Sequence, residues 1–212
     1  MTPPLPFSTA SAVTFLRQVD PLLASVIARV GPVHEEASAE ETPDLFQALV
    51  RSIIYQQLHA KAASAIHQRV LAAVPEKTPL LTALQQLPDE PLREAGLSAN
   101  KLRALRDLAA KTEAEIVPTF SQAKLLTDAE LVSRLTQVRG IGPWTVQMLL
   151  IFTLGRPDVF PLGDFAICQN MQQLYGQGKG SSSVLTKKEL SVIADKWSPH
   201  RTTASWYIWQ AS

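Results

Sequence analysis

The sequence predicts an all-α protein, and three observations carry that expectation. Helix N-caps and stop signals recur along the whole of the 212 residues. Between them, apolar residues fall at three- and four-residue spacings, the period of a helix buried on one face. No stretch combines sustained period-2 alternation with hairpin turn chemistry, so strands are not expected. About ten helices joined by short loops result.

The elements follow in order. Asp20-Pro21 reads as an N-cap and first helical residue, and Gly31 stops that helix. Thr42-Pro43 repeats the device, and Leu45, Phe46, Leu49 and Ile53 behind it share one helical face. A helix from Ala60 to Val74 carries Ala63, Ile66 and Val70 on one stripe. Ser98 caps the next, in which Leu102, Leu105 and Leu108 alternate with Lys101, Arg103 and Arg106. Thr127 and Glu130 form a capping box ahead of Leu131 and Leu135, and Thr186 and Glu189 form a second. Pro143 opens a helix that Gly155 closes, and Asp164 opens one that Gly176 closes. Ser198-Pro199 starts the last helix. The Gly- and Ser-rich segment 176–183 reads as an inserted surface loop.

Composition narrows the class. Hydrophobic residues make up 46% and charged residues 18%, which excludes disorder, collagen and coiled coil. No apolar run reaches the ~18 residues of a membrane span. The first ten residues lack the basic and apolar regions of a secretion signal. A soluble intracellular protein is expected. The one cysteine, Cys168, cannot make an internal disulfide, a cysteine-based zinc site or an iron–sulfur cluster. His34, His67 and His200 show no metal-site spacing, and His59 reads as a capping or surface residue. Net charge is +1, distributed as −4 over residues 1–50, +2 over 51–120 and +3 over 121–212. That distribution permits a polyanionic partner without pointing to one.

The informative segment runs from Leu135 to Val146. A capped helix enters Gly140-Ile141-Gly142, and Pro143 starts the next helix. Two glycines around one apolar residue permit a tight turn with positive φ, with Ile141 plugging the gap between the helices. The amides of Gly140, Gly142 and the first turn after Pro143, Thr145 included, are then expected to face outward as an anion site. A DNA phosphate would suit it, and so would no ligand at all, since an αα-hairpin needs glycine simply to turn.

This segment resembles the helix–hairpin–helix of the DNA glycosylase superfamily that combines that hairpin with a Gly/Pro-rich loop and an aspartate. Pro161 and Asp164 stand where the aspartate loop belongs. Ile53-Ile54-Tyr55-Gln56-Gln57 resembles the Gln-containing turn of the family, and Gly96-Leu97-Ser98 with Lys101 its mid-domain segment. Trp197 to Arg201, Ala204 and Tyr207-Ile208-Trp209 resemble the C-terminal helix of the 3-methyladenine DNA glycosylase II (AlkA-like) branch. The resemblance spans about Leu45 to Trp209.

Members that also cut the DNA backbone place a lysine two residues after the second hairpin glycine; here that residue is Trp144, and an indole forms no Schiff base. The resemblance therefore implies a monofunctional glycosylase, with no cofactor for catalysis. Its substrate would be double-stranded DNA with alkylated bases such as 3-methyladenine and 7-methylguanine, acted on in base excision repair. Asp164 would be the catalytic carboxylate, stabilising the sugar as it becomes oxocarbenium-like; read alone, it is an ordinary N-cap. Trp144 and Trp209 match aromatic pocket positions, where a flipped cationic base would stack; read alone, they are core residues. Met148 stands where the best-known bacterial form has tyrosine, and Tyr55 and Gln56 complete the expected substrate pocket. Gln57 and Leu58 are expected to fill the gap left by the flipped base. The family hairpin often holds one Na⁺ or K⁺, which would correspond to the carbonyls of Thr136, Val138 and Ile141.

The resemblance also implies two helical lobes with a central cleft. One would span 43–162 with the hairpin, and the other 1–42 plus 163–212. No N-terminal α/β domain is expected, because about forty residues are too few for one. A monomer in the cytoplasm or nucleoid of a bacterium, with no membrane partner, completes the expectation. The competing reading is a non-catalytic helix–hairpin–helix DNA-binding protein, which needs neither Asp164 nor the tryptophan pair.

Overall fold

The computed structural model describes residues 4–7, 9–33, 44–176 and 184–211. Thr42-Pro43, His34 and all of the Gly/Ser-rich segment after Gly176 lie outside the described residues. Thirteen helices and no strand element are found among those described: α1 (Ala10–Val19), α2 (Pro21–Val30), α3 (Leu45–Tyr55), α4 (Ala60–Ala72), α5 (Leu80–Gln86), α6 (Asp89–Glu94), α7 (Ala99–Glu113), α8 (Phe120–Leu125), α9 (Asp128–Leu135), α10 (Pro143–Phe152), α11 (Phe165–Tyr175), α12 (Lys187–Asp195) and α13 (Arg201–Trp209). None of these helices is long and apolar enough to cross a membrane.

The caps do what their residue types allow. The Asp20 carboxylate accepts from Leu22 and Leu23 N–H, and the Ser98 hydroxyl from Lys101 N–H. Both expected capping boxes form, at Thr127 with Glu130 and at Thr186 with Glu189. Two starts differ. The N-cap of α3 is Asp44, whose carboxylate reaches Phe46 and Gln47 N–H. The last helix starts at Arg201, not at Ser198-Pro199, whose peptide bond is cis. Asp158 accounts for that start by accepting from Arg201 N–H at 3.1 Å and pairing with its guanidinium.

The chain divides into two compact units, Met1–Glu41 with Leu150–Ser212, and Thr42–Leu149. The second division falls inside α10, ahead of position 162. Phe152 at the end of that helix stacks on Trp209 of α13, which ties it to the first unit.

In the Thr42–Leu149 unit, α3, α5 and α6 pack on α7. Leu45, Phe46, Leu49, Val50, Ile53 and Ile54 of α3 are buried, each worth about 1.5–3 kcal/mol. The Arg106 guanidinium of α7 donates to the carbonyls of Leu84 and Leu87 and pairs with Asp89. In the other unit α13 is the central helix, packed by α1, α2 and α11. Every residue of α13 from Thr202 to Ile208 is buried. Its polar groups are largely matched: Asn170 Nδ2 donates to Ile208 O at 2.7 Å, and Tyr207 Oη to Gly31 O at 3.0 Å.

Asp20 organises this unit. Its Oδ2 accepts from Tyr175 Oη at 2.8 Å and Trp197 Nε1 at 2.9 Å, with Lys196 Nζ at 3.1 Å. Burial alone would raise its pKa, but these donors and the Leu23 amide outweigh it and hold the carboxyl below its usual value.

Candidate active site and nucleic-acid interface

The Thr42–Leu149 unit brings together the expected DNA-binding turns. α9 ends at Thr136, Ile141 N–H donates to Val138 O at 3.0 Å, and α10 begins at Pro143. Ile141 is buried, as a plug should be. Of the two glycines only Gly140 has positive φ, at 79°. A Cβ at Gly142 would meet nothing within 4 Å, so its side is open to an approaching ligand. Val146 N–H donates to Gly142 O at 3.2 Å, which closes the first turn of α10. The Thr145 side chain is buried, so an anion there would meet its backbone and not its hydroxyl.

The turn between α3 and α4 sits against this hairpin. Gln56 Nε2 donates to Gly140 O at 2.8 Å, which commits to the hairpin an amide expected in the substrate pocket. Gln57 adopts φ 57°, and Leu58 beside it is 39% exposed. An apolar side chain held at a turn tip can enter a base stack.

Helix α7 supports both turns. Lys101 Nζ donates to Ile54 O at 2.7 Å and Gln56 O at 2.8 Å, satisfying carbonyls at the end of α3. Burial lowers the Lys101 pKa. Asp107 Oδ2 accepts from Arg139 N–H at 2.6 Å and pairs with Lys111. Burial would raise the Asp107 pKa, but the Lys111 bond and the Arg139 amide prevail and lower it. The sequence pointed to Lys101 only through a resemblance, and nothing in it singled out Asp107.

The expected pocket residues of this unit differ in exposure. Trp144 is 47% exposed, unlike the buried Trp197 and Trp206, and Met148 is half-buried. Tyr55 is less available than expected: the Arg51 guanidinium lies 4.3 Å over its ring, and His67 meets it edge-on. His59 caps α4, its Nδ1 accepting from Lys61 N–H at 3.4 Å.

The other unit holds the expected carboxylate. After Pro161, whose carbonyl accepts from Asp164 N–H at 2.8 Å, Asp164 caps α11. Its Oδ1 accepts from Ile167 N–H at 3.0 Å and from Trp209 Nε1 at 3.1 Å. Only 9% of the residue is exposed. One Trp209 face is taken by Phe152, with centroids 5.9 Å apart and planes at 28°. Phe165, next to the carboxylate, is 80% exposed; a helical pattern alone does not mark it out. Asp158, in the turn before Val159, makes a bidentate pair with Arg201 at 2.8 Å and accepts from Ser198 Oγ at 2.9 Å. Burial acts to raise its pKa, and these bonds overcome that and lower it.

Among the described residues no group of three or more His, Cys, Asp or Glu could hold a metal ion. The carbonyls of Thr136, Val138 and Ile141 are a different donor set, neutral and hard, of the kind that suits Na⁺ or K⁺. Val138 O already accepts one hydrogen bond and keeps a second lone pair.

Residues 50–196 match the HhH-GPD superfamily of base excision DNA repair proteins. The chain is 36% identical over 173 residues to DNA-3-methyladenine glycosylase 1 of Schizosaccharomyces pombe, covering 81% of this chain and 74% of that one. Among solved structures it resembles a 3-methyladenine DNA glycosylase of S. pombe in complex with abasic DNA. The TM-score is 0.78 and the identity 33%, over 95% of this chain and 96% of that one. It also resembles a DNA-3-methyladenine glycosidase of Bacillus halodurans, with TM-score 0.78 and 35% identity over 97% and 91% of the two chains.

Proposed function

The chain belongs to the HhH-GPD superfamily of base excision DNA repair proteins, and from that premise we propose the chemistry of its site. It is a monofunctional glycosylase that hydrolyses the N-glycosidic bond of alkylated bases, 3-methyladenine and 7-methylguanine among them, in double-stranded DNA. The observation that carries the reading is Asp164, a carboxylate fixed by two N–H donors at the start of α11.

An alkylated purine is cationic and leaves without a proton from the enzyme. The sugar then gains positive charge, and a preorganised anion stabilises it at no reorganisation cost in the transition state. Asp164 fills that role and can orient the attacking water. The Gly142 side of the hairpin and the first turn of α10 hold a phosphate without regard to sequence. Gln57 and Leu58 fill the gap in the stack, while Trp144 and Met148 offer their faces to the base. Trp144 stands where a backbone-cutting member has its lysine, so the product is an abasic site in an intact strand. The carbonyls of Thr136, Val138 and Ile141 would hold an alkali ion, which when bound lends positive charge toward a phosphate. The protein acts where chromosomal DNA is, in the cytoplasm and nucleoid of a bacterium.

Asp164→Asn tests the assignment. Duplex binding should stay near normal, while single-turnover release of 3-methyladenine falls by roughly 10²-fold or more. A rate within threefold of the parent protein would remove Asp164 from the mechanism.

A further inference from the structure

We propose that Trp209 is a positioning residue for Asp164, acting on the reaction through the bond from its indole N–H to the carboxylate rather than as a stacking wall alone. The inference rests on the reading of Asp164 given above.

A cap aspartate held only by its own helix has a soft final torsion, because rotation about an sp³–sp² bond is broad. Ile167 N–H supplies that local hold at 3.0 Å. Trp209 Nε1 supplies a second, at 3.1 Å on the same oxygen, from a different helix 45 residues away. Two donors from two elements set the carboxylate plane more narrowly than the helix amide does by itself.

The indole is itself held. Phe152 stacks on its face. The preceding residue, Ile208, is buried, and its carbonyl accepts from Asn170 Nδ2 at 2.7 Å. The ring edge that carries the N–H is thus aimed by packing, as a supporting group for a reactive one must be. A wall for a flat base needs a ring face, which phenylalanine or tyrosine also offers, though indole attracts a cation more strongly. A donor that reaches Asp164 from this position needs indole.

The experiment is a double-mutant cycle on excision of 3-methyladenine from a single-lesion duplex, read by single-turnover rate and by duplex affinity. Trp209→Phe keeps an aromatic ring and removes the donor. It should lower the rate about tenfold or more, the scale of one hydrogen bond to a charged group. Affinity for the duplex should stay within about twofold, since the phosphate contacts are untouched. In the Asp164→Asn background the same substitution should change the residual rate by less than about twofold, because no charge is left to aim. Equal losses in both backgrounds would overturn the positioning role and leave Trp209 a wall. Should Asp164→Asn alone keep the parental rate, the reading of Asp164 fails, and the positioning role with it. If Trp209→Phe melts well below the parent protein, benzothienylalanine at position 209 replaces it. That side chain keeps the bicyclic shape, puts sulfur where the N–H was, and should give the same cycle.

Discussion

Gln56 Nε2 donates to Gly140 O at 2.8 Å, a bond between residues 84 positions apart. It joins the turn carrying Gln57 and Leu58 to the glycine hairpin. Lys101 and Asp107 back the two turns from one helix, α7, so both are braced against the same support.

Gln56→Ala should therefore loosen both turns at once. Affinity for duplex DNA is expected to fall about fivefold to tenfold, the scale of one net hydrogen bond, with damaged and undamaged duplexes affected alike. Fluorescence anisotropy checks this. Unchanged affinity for both duplexes would mean that the bond is incidental to DNA binding.

The hairpin glycines should separate under substitution. Gly140 holds φ 79°, so Gly140→Ala should destabilise the protein by about 1 kcal/mol. Gly142 has open space around it, so Gly142→Ala should melt like the parent protein. It should still bind all duplexes more weakly, because the new methyl group occupies the side on which a phosphate approaches. Melting curves and gel shifts on both variants test the pair. Normal DNA binding by Gly142→Ala would count against the anion site.

Met148, half-buried on α10, is an adaptable thioether. A pocket lined by it should accept more than one cationic base and release neutral hypoxanthine slowly, because a neutral base needs closer stacking and a proton. Met148→Tyr should narrow the range and spare 3-methyladenine. Excision rates from a panel of single-lesion duplexes decide the matter; coincident profiles for the two proteins would exclude Met148 as a determinant.

Acid should weaken the fold through three bonded carboxylates, one buried and two part-buried. Asp20, Asp107 and Asp158 all have folded values below 3.8, so the stability they contribute is present above that pH and is lost as pH falls through the folded values. Asp20→Ala leaves the buried Trp197 N–H and the Tyr175 hydroxyl without their acceptor and should cost about 3–5 kcal/mol at neutral pH. Urea unfolding at neutral pH and at about pH 3 should show a shallower acid loss in Asp20→Ala than in the parent protein. Parallel curves would assign the acid sensitivity to Asp107 and Asp158 instead.

The sequence by itself determined the helical class, most helix starts, the hairpin and the Asp164 cap. Each of these is a local event: a cap reaches two or three residues along the chain, and a helix face repeats within one or two turns. The short helices α5, α6 and α8 carry too few turns for that signal to rise above chance, and they were not anticipated. Tertiary structure alone decided the rest. Trp209 reaches Asp164 across 45 residues, Gln56 reaches Gly140 across 84, and Trp197 reaches Asp20 across 177. Residue type says that an indole or an amide needs a partner; only the packing of distant helices says which partner stands within three ångströms of it.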